Sequence, residues 1–160
     1  MSDTSIILRE EQYERIVSVL HKLRAESFSR VVFLVDKNGQ PIAVQGDVSN
    51  IDTTSLASLA AGNVAATGGM AQLIGEKEFP TLSHEGERES IHICIIGRTL
   101  LVVVFDDRSS LGLVKLRVKQ ASRELATIFE DVERDSLAKR KQDDALFAGI
   151  TDDDIDSLFN

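Results

Sequence analysis

Cysteine occurs once in the 160 residues, at Cys94, tryptophan is absent, proline stands only at Pro41 and Pro80, and aromatic residues make up 5%. A single cysteine excludes a disulfide framework and a cysteine-rich metal cluster, and it points to a cytoplasmic setting. Placed inside an apolar run, with no histidine or basic residue beside it in sequence, Cys94 is expected to be a packed thiol rather than a nucleophile. Basic charge is also scarce. The 18 Lys and Arg stand against 26 Asp and Glu, a net charge of −8, which removes the cationic footprint that nucleic-acid binding requires. The longest run of large apolar residues is Leu100 to Phe105, far short of the roughly 20 residues that span a bilayer. No basic segment followed by an apolar stretch opens the chain, so neither a leader nor membrane insertion is expected. A phosphate-cradling glycine loop is missing as well, because Gly68-Gly69 falls inside a helical pattern rather than after a strand. His21, His84 and His92 belong to three separate segments and offer no metal-ligand spacing. The expectation is therefore no metal, no cofactor and no catalytic residue set.

What is present is a strongly patterned globular sequence. Tyr13, Ile16, Val17, Leu20 and Leu23 recur at helical spacing, which predicts an amphipathic helix over about 9–26. Val31 to Val35 is short, uninterrupted and rich in β-branched residues, and Asp36-Lys37-Asn38-Gly39 supplies a hairpin turn that returns the chain as a second strand over 41–46. Ile91 to Ile96 and Leu100 to Phe105 form a second hairpin about Gly97-Arg98-Thr99. His92 alternates away from Ile91 and Ile93, which suggests a structural or exposed imidazole. From Leu111 onward Val114, Val118, Ala121, Leu125, Ile128, Phe129 and Val132 restore the helical period, capped by Ser109 or Ser110. Phe79 and Leu82, within 76–90, are expected to form a short edge strand, with a loop pinned by these two side chains as the competing reading. The fold class is α+β with the order αββαβββα.

Thr53 to Gly75 contains no charged residue, and Asp52 offers a carboxylate cap at its start. The stretch has too many Ala, Gly, Ser and Thr residues to insert into a bilayer. At 100° per residue, Leu56, Leu59, Ala66, Met70, Leu73 and Ile74 share one face and Ala57, Ala61, Ala65, Gly68, Gly69 and Gln72 the other. The large face is expected to pack on the sheet, and the small, uncharged face to meet a partner or to accommodate a crowded core. Exposed helix faces ordinarily carry Glu, Lys and Arg.

Six Asp and no Lys or Arg lie between residues 143 and 160. The expected division is a domain over 1–135, a polar linker over 136–145 and an acidic tail over 146–160. In the tail, Thr151 and Asp154 have the spacing of a capping box. Ile155, Leu158 and Phe159 share a face at i, i+3, i+4, the pattern of a short helix that docks in a partner's groove. A disordered solubilising tail is the competing reading. The run Asp152-Asp153-Asp154-Ile155-Asp156 lacks the turn glycine and terminal Glu of a calcium loop.

The element order with its small-residue central helix resembles the roadblock family. Val31-Val32-Phe33-Leu34-Val35-Asp36-Lys37-Asn38-Gly39-Gln40, Asn50 to Leu59 running on through Ala66, and Asp152 to Asp156 are similar to its bacterial gliding-motility members. That resemblance implies a five-stranded antiparallel sheet, with the central helix on one face and the N- and C-terminal helices on the other. It also implies a homodimer that binds a Ras-like small GTPase of the MglA type, two copies of this chain to one GTPase, and acts as its GTPase activator, gathered at a cell pole. Ala65 and Gly69, with Ala61, Gly68 and Gln72 beside them, would then be the GTPase-binding residues. The GTPase would supply its own catalytic groups. Arg30, Arg98 and Arg108 are the residues from which an inserted arginine would otherwise come. Ile155, Leu158 and Phe159 would dock elsewhere on the GTPase. A dimeric adaptor of the same family, recruiting polarity proteins without altering hydrolysis, stays open, as does an enzyme or small-ligand sensor on the related profilin-like scaffold.

Overall fold

The first helix, α1 (Glu10–Ser27), forms where Ile16, Val19, Leu20 and Leu23 line one side and become buried. Its entry is capped by Gln12, whose side-chain oxygen accepts the Arg9 amide at 3.0 Å. In this computed structural model, which describes residues 6–149 and Ser157, the elements that follow are β1 (Val31–Asp36), β2 (Pro41–Gly46), α2 (Thr53–Leu73), β3 (Thr81–Glu85), β4 (Ser90–Ile96), β5 (Thr99–Phe105) and α3 (Leu111–Ala148). The expected edge strand over part of 76–90 is β3.

The strands make one antiparallel sheet in the order β2-β1-β5-β4-β3. The first hairpin turns on Asp36, whose carboxylate accepts the amides of Asn38 at 2.9 Å and Gln40 at 3.0 Å. Gly39 there takes φ 91°, a conformation that favours glycine. Because side chains alternate along a strand, Val32 and Leu34 of β1 and Leu101, Val103 and Phe105 of β5 face α1 and α3. Val31, Phe33, Val35, Leu100, Val102 and Val104 face α2. The sheet is thus covered on both sides. This is why His92, which does alternate from Ile91 and Ile93, is buried rather than exposed: its face is roofed by α3.

The two helical layers pack differently. On one side α1 and α3 run antiparallel, with Arg15 bonded to Asp131 at 2.8 Å and Lys22 to Glu124 at 3.2 Å. Val114, Val118, Ala121, Leu125 and Ile128 of α3 are buried. On the other side α2 does not turn most of its expected large face to the sheet, while Ala65, Gly69 and Gln72 point outward as expected. Ala57, Ala60 and Ala71 are its buried residues, with Leu56, Ala61 and Val64 partly buried against the sheet. Leu59, Met70, Leu73 and Ile74 stay 60–87% exposed. The physical reason is volume: the facing sheet already presents Phe33, Ile93 and a row of valines, and only small side chains let the helix approach it closely.

Helix α3 also continues through 136–145, the polar stretch expected as a linker, and stops at Ala148. The segment consists largely of Ala, Leu, Lys, Arg and Gln with no Gly or Pro, so once the packed part of α3 has nucleated the helix, propagation is favourable. Among the described residues, no helix is long and apolar enough to cross a membrane.

Candidate docking surface

Helix α2 begins at Asp52, whose carboxylate accepts the Ser55 amide at 3.0 Å and its hydroxyl at 2.7 Å. Those bonds hold the Asp52 carboxyl below the usual carboxylate range. With its start fixed and Ala57 and Ala60 against the sheet, α2 presents a continuous outer face without a formal charge. Of the five residues expected there, Ala65, Gly69 and Gln72 are exposed, Gly68 is half-buried, and Ala61 is half-buried with its methyl packed toward the core. Leu59, Ala66, Met70 and Leu73 complete the surface. Their place in it was missed because periodicity groups residues on a face without saying which face meets the sheet. The available signal was the lack of charge all round the helix.

Among the described residues, nothing gives the glycines of α2 a packing reason. A Cβ added at Gly62, Gly68 or Gly69 meets nothing within 4 Å, yet each glycine inside a helix costs about 0.5–1 kcal/mol relative to alanine. Open space above them leaves room for a second backbone. Beside this surface lies the free edge of β3, which pairs only with β4 among the described residues. The Asn63 side-chain amide meets His84 Nε2 at 2.7 Å and ties α2 to that edge.

The arginines are placed elsewhere. Arg30 is tied by Nη1 to Glu89 at 2.8 Å and by Nη2 to the Ser49 carbonyl, with its side chain 18% exposed. Arg108 is held on Asp106 through Nε at 3.1 Å and Nη2 at 2.9 Å, which lowers the Asp106 carboxyl below its usual range. Arg98 lies in the β4–β5 turn, its carbonyl accepting the Lys37 amide at 3.2 Å. The three arginines are not brought together on α2.

Two other titratable groups are structural in character. His92 is 1% exposed, with Nδ1 2.7 Å from the Ser83 hydroxyl. Burial first, and the Lys115 charge second, push its imidazole below the ordinary value. Burial raises the Cys94 thiol, so it is a packed thiol as expected, not an activated one. A recess of about 460 Å³ between the β3–β4 turn and the start of α3 is lined by the carboxylates of Glu85, Glu87, Asp106 and Asp107 against the single cation Arg88, a net negative lining that disfavours phosphate. Ile155, Leu158 and Phe159 lie outside the described residues.

The Roadblock/LC7 domain family matches residues 18–105, the span from α1 through β5 that carries this surface. The chain belongs to the Roadblock/LC7 family. Among solved structures of this roadblock fold, Myxococcus xanthus MglB is 56% identical, with a TM-score of 0.74, covering 79% of this chain and 96% of that one. The gliding protein MglB of Thermus thermophilus is 38% identical, with a TM-score of 0.76, covering 81% and 99%. Acanthamoeba castellanii profilin II, at 7% identity and a TM-score of 0.51, covers 69% and 94% and shares the fold alone. A comparison with curated protein sequences gives no match.

Proposed function

We propose that this roadblock protein is a homodimeric GTPase-activating protein for a Ras-like small GTPase of the MglA type, acting in cell polarity and gliding motility. The observation that carries the reading is the outer face of α2: uncharged, glycine-bearing and open, on a chain 56% identical to Myxococcus MglB. Two such faces side by side make a flat apolar platform for one GTPase. Ala65, Gly69 and Gln72 are its contact residues, with Gly68 and Ala61 at its margin.

Activation follows from differential affinity. A dimer that binds the GTP state better when the GTPase's own catalytic groups are aligned must populate that alignment, whereas equal binding to both states shifts nothing. Arg30 and Arg108 are engaged in ion pairs within the chain, so an inserted arginine would first have to surrender those bonds. The regulator needs no active site, metal or cofactor of its own. It works in the cytoplasm, concentrated at a pole, and Ile155, Leu158 and Phe159 dock on the GTPase away from the α2 platform.

The deciding experiment is single-turnover GTP hydrolysis by the partner GTPase with and without excess of this protein. Strong acceleration is expected. Binding to the GTP state without acceleration would leave the adaptor reading. Deleting residues 146–160 should change GTPase affinity or nucleotide exchange, and unchanged values would remove the tail from the mechanism.

A further inference from the structure

Helix α3 outruns the domain that supports it. Its last partners at the start of α1 are Gln12 and the preceding residue Arg9, both bonded to Asp135 at 2.8 Å. Beyond Asp135 every residue of α3 to Ala148 is exposed, a projection of about 20 Å at 1.5 Å per residue. Leu137 and Phe147 are 49% and 71% exposed on it. Arg140, Lys141, Asp143 and Asp144 make no ion pair among the described residues.

The pattern along this projection is self-complementary. Leu137, Arg140, Asp144 and Phe147 are spaced 3, 4 and 3 residues apart, the alternation that places side chains on the single seam of a two-helix pair. Read in opposite directions, two copies of the seam bring Leu137 onto Phe147 and Arg140 onto Asp144, each contact occurring twice about an axis level with Gln142. Lys141 and Asp143 meet on the flanks. A parallel pair would instead set Arg140 against Arg140 and Asp144 against Asp144, so charge selects the antiparallel arrangement.

We propose that residues 136–148 of α3 are an interaction surface for the same segment of a second copy of this chain, joined antiparallel about Gln142. The contact is isologous, the same residues meeting on both copies. It lies apart from α2 and β3, so it links whole units whatever their own oligomeric state and stands independently of the GTPase reading. With only Leu137 and Phe147 as large apolar residues on the seam it is a weak interface, populated at high local concentration.

The test is sedimentation of the full chain from about 10 µM to about 1 mM, concentrations that populate a contact of micromolar to millimolar affinity, with two charge variants. The wild type is expected to at least double in mass, less so at high salt. Arg140→Asp alone and Asp144→Arg alone should each lose the doubling, because each sets like charges face to face. An equimolar mixture of the two variants should regain it, since each supplies what the other lacks, and the double swap should regain it alone. The substitutions touch no other element, and circular dichroism checks that the helix persists. A wild-type mass that does not double overturns the proposal. So does a doubling that both single variants retain, or one that the mixture fails to restore, since that association belongs to another surface.

Discussion

The two helical layers of the sheet follow opposite packing rules. On the α1/α3 side the large residues point inward, Ile16, Leu20, Leu125 and Ile128 among them, and the outer surfaces carry ion pairs. On the α2 side alanines point inward while Leu59, Met70 and Leu73 point out. The first arrangement completes itself within the chain. The second leaves apolar surface that no described residue covers, and the proposed docking rests on that surface.

The largest expected effect tests the self-contained layer. Leu125→Ala should destabilise the fold by about 2–5 kcal/mol, the range for a fully buried leucine, measured by urea unfolding. Leu73→Ala on α2 should leave stability within about 0.5 kcal/mol of wild type, as exposed substitutions do. Equal losses at the two positions would erase the contrast. Next, Ala60→Leu should cost about 1–3 kcal/mol, because the helix sits too close to the sheet for a larger side chain. A neutral result would place the large face of α2 inward after all.

The double substitution Ala65→Arg with Gly69→Arg should leave folding intact while weakening GTPase binding by at least about tenfold, or about 1.4 kcal/mol. Binding by titration, with the dimer checked by sedimentation, reads this out, and unimpaired affinity would remove α2 from the docking surface. Gly69→Ala should stabilise the chain by about 0.5–1 kcal/mol, since the added methyl meets open space and the helix gains propensity. Thermal melting decides the sign. A loss of stability would mean that the glycine has a packing role within the chain.

A smaller, pH-dependent effect belongs to His92. Its imidazole is lowered in the folded state, so between that value and the ordinary one of about 6.5 the unfolded chain binds more protons. Stability should be full above about pH 6.5 and decline as pH falls through that window. His92→Gln should flatten this part of the melting-temperature profile, and an unchanged slope would assign it to other groups.

Much of this was legible from residue pattern. Val31 to Val35 and Leu100 to Phe105 are too apolar to be anything but central strands, Asp36 to Gly39 carries its turn chemistry openly, and Ser110 and Asp52 cap the helices as their side chains dictate. The surface residues Ala65, Gly69 and Gln72 were also visible, because a helix without charge is abnormal at a protein surface. Leu59, Met70 and Leu73 were not, and neither was the burial of His92. Their environments depend on what lies across a gap, not on neighbours in the chain.

Element order, strand alternation, turn positions and the unusual neutrality of α2 were therefore determined by the sequence itself, since each rests on local geometry and the period of apolar residues. The tertiary structure alone decided that α2 turns Ala57, Ala60 and Ala71 rather than Leu59, Met70 and Leu73 to the sheet, that α3 roofs His92, and that α3 runs on past Asp135. Period defines which side chains share a face. Only the volume already filled by Phe33, Ile93 and the sheet valines decides which face can come close.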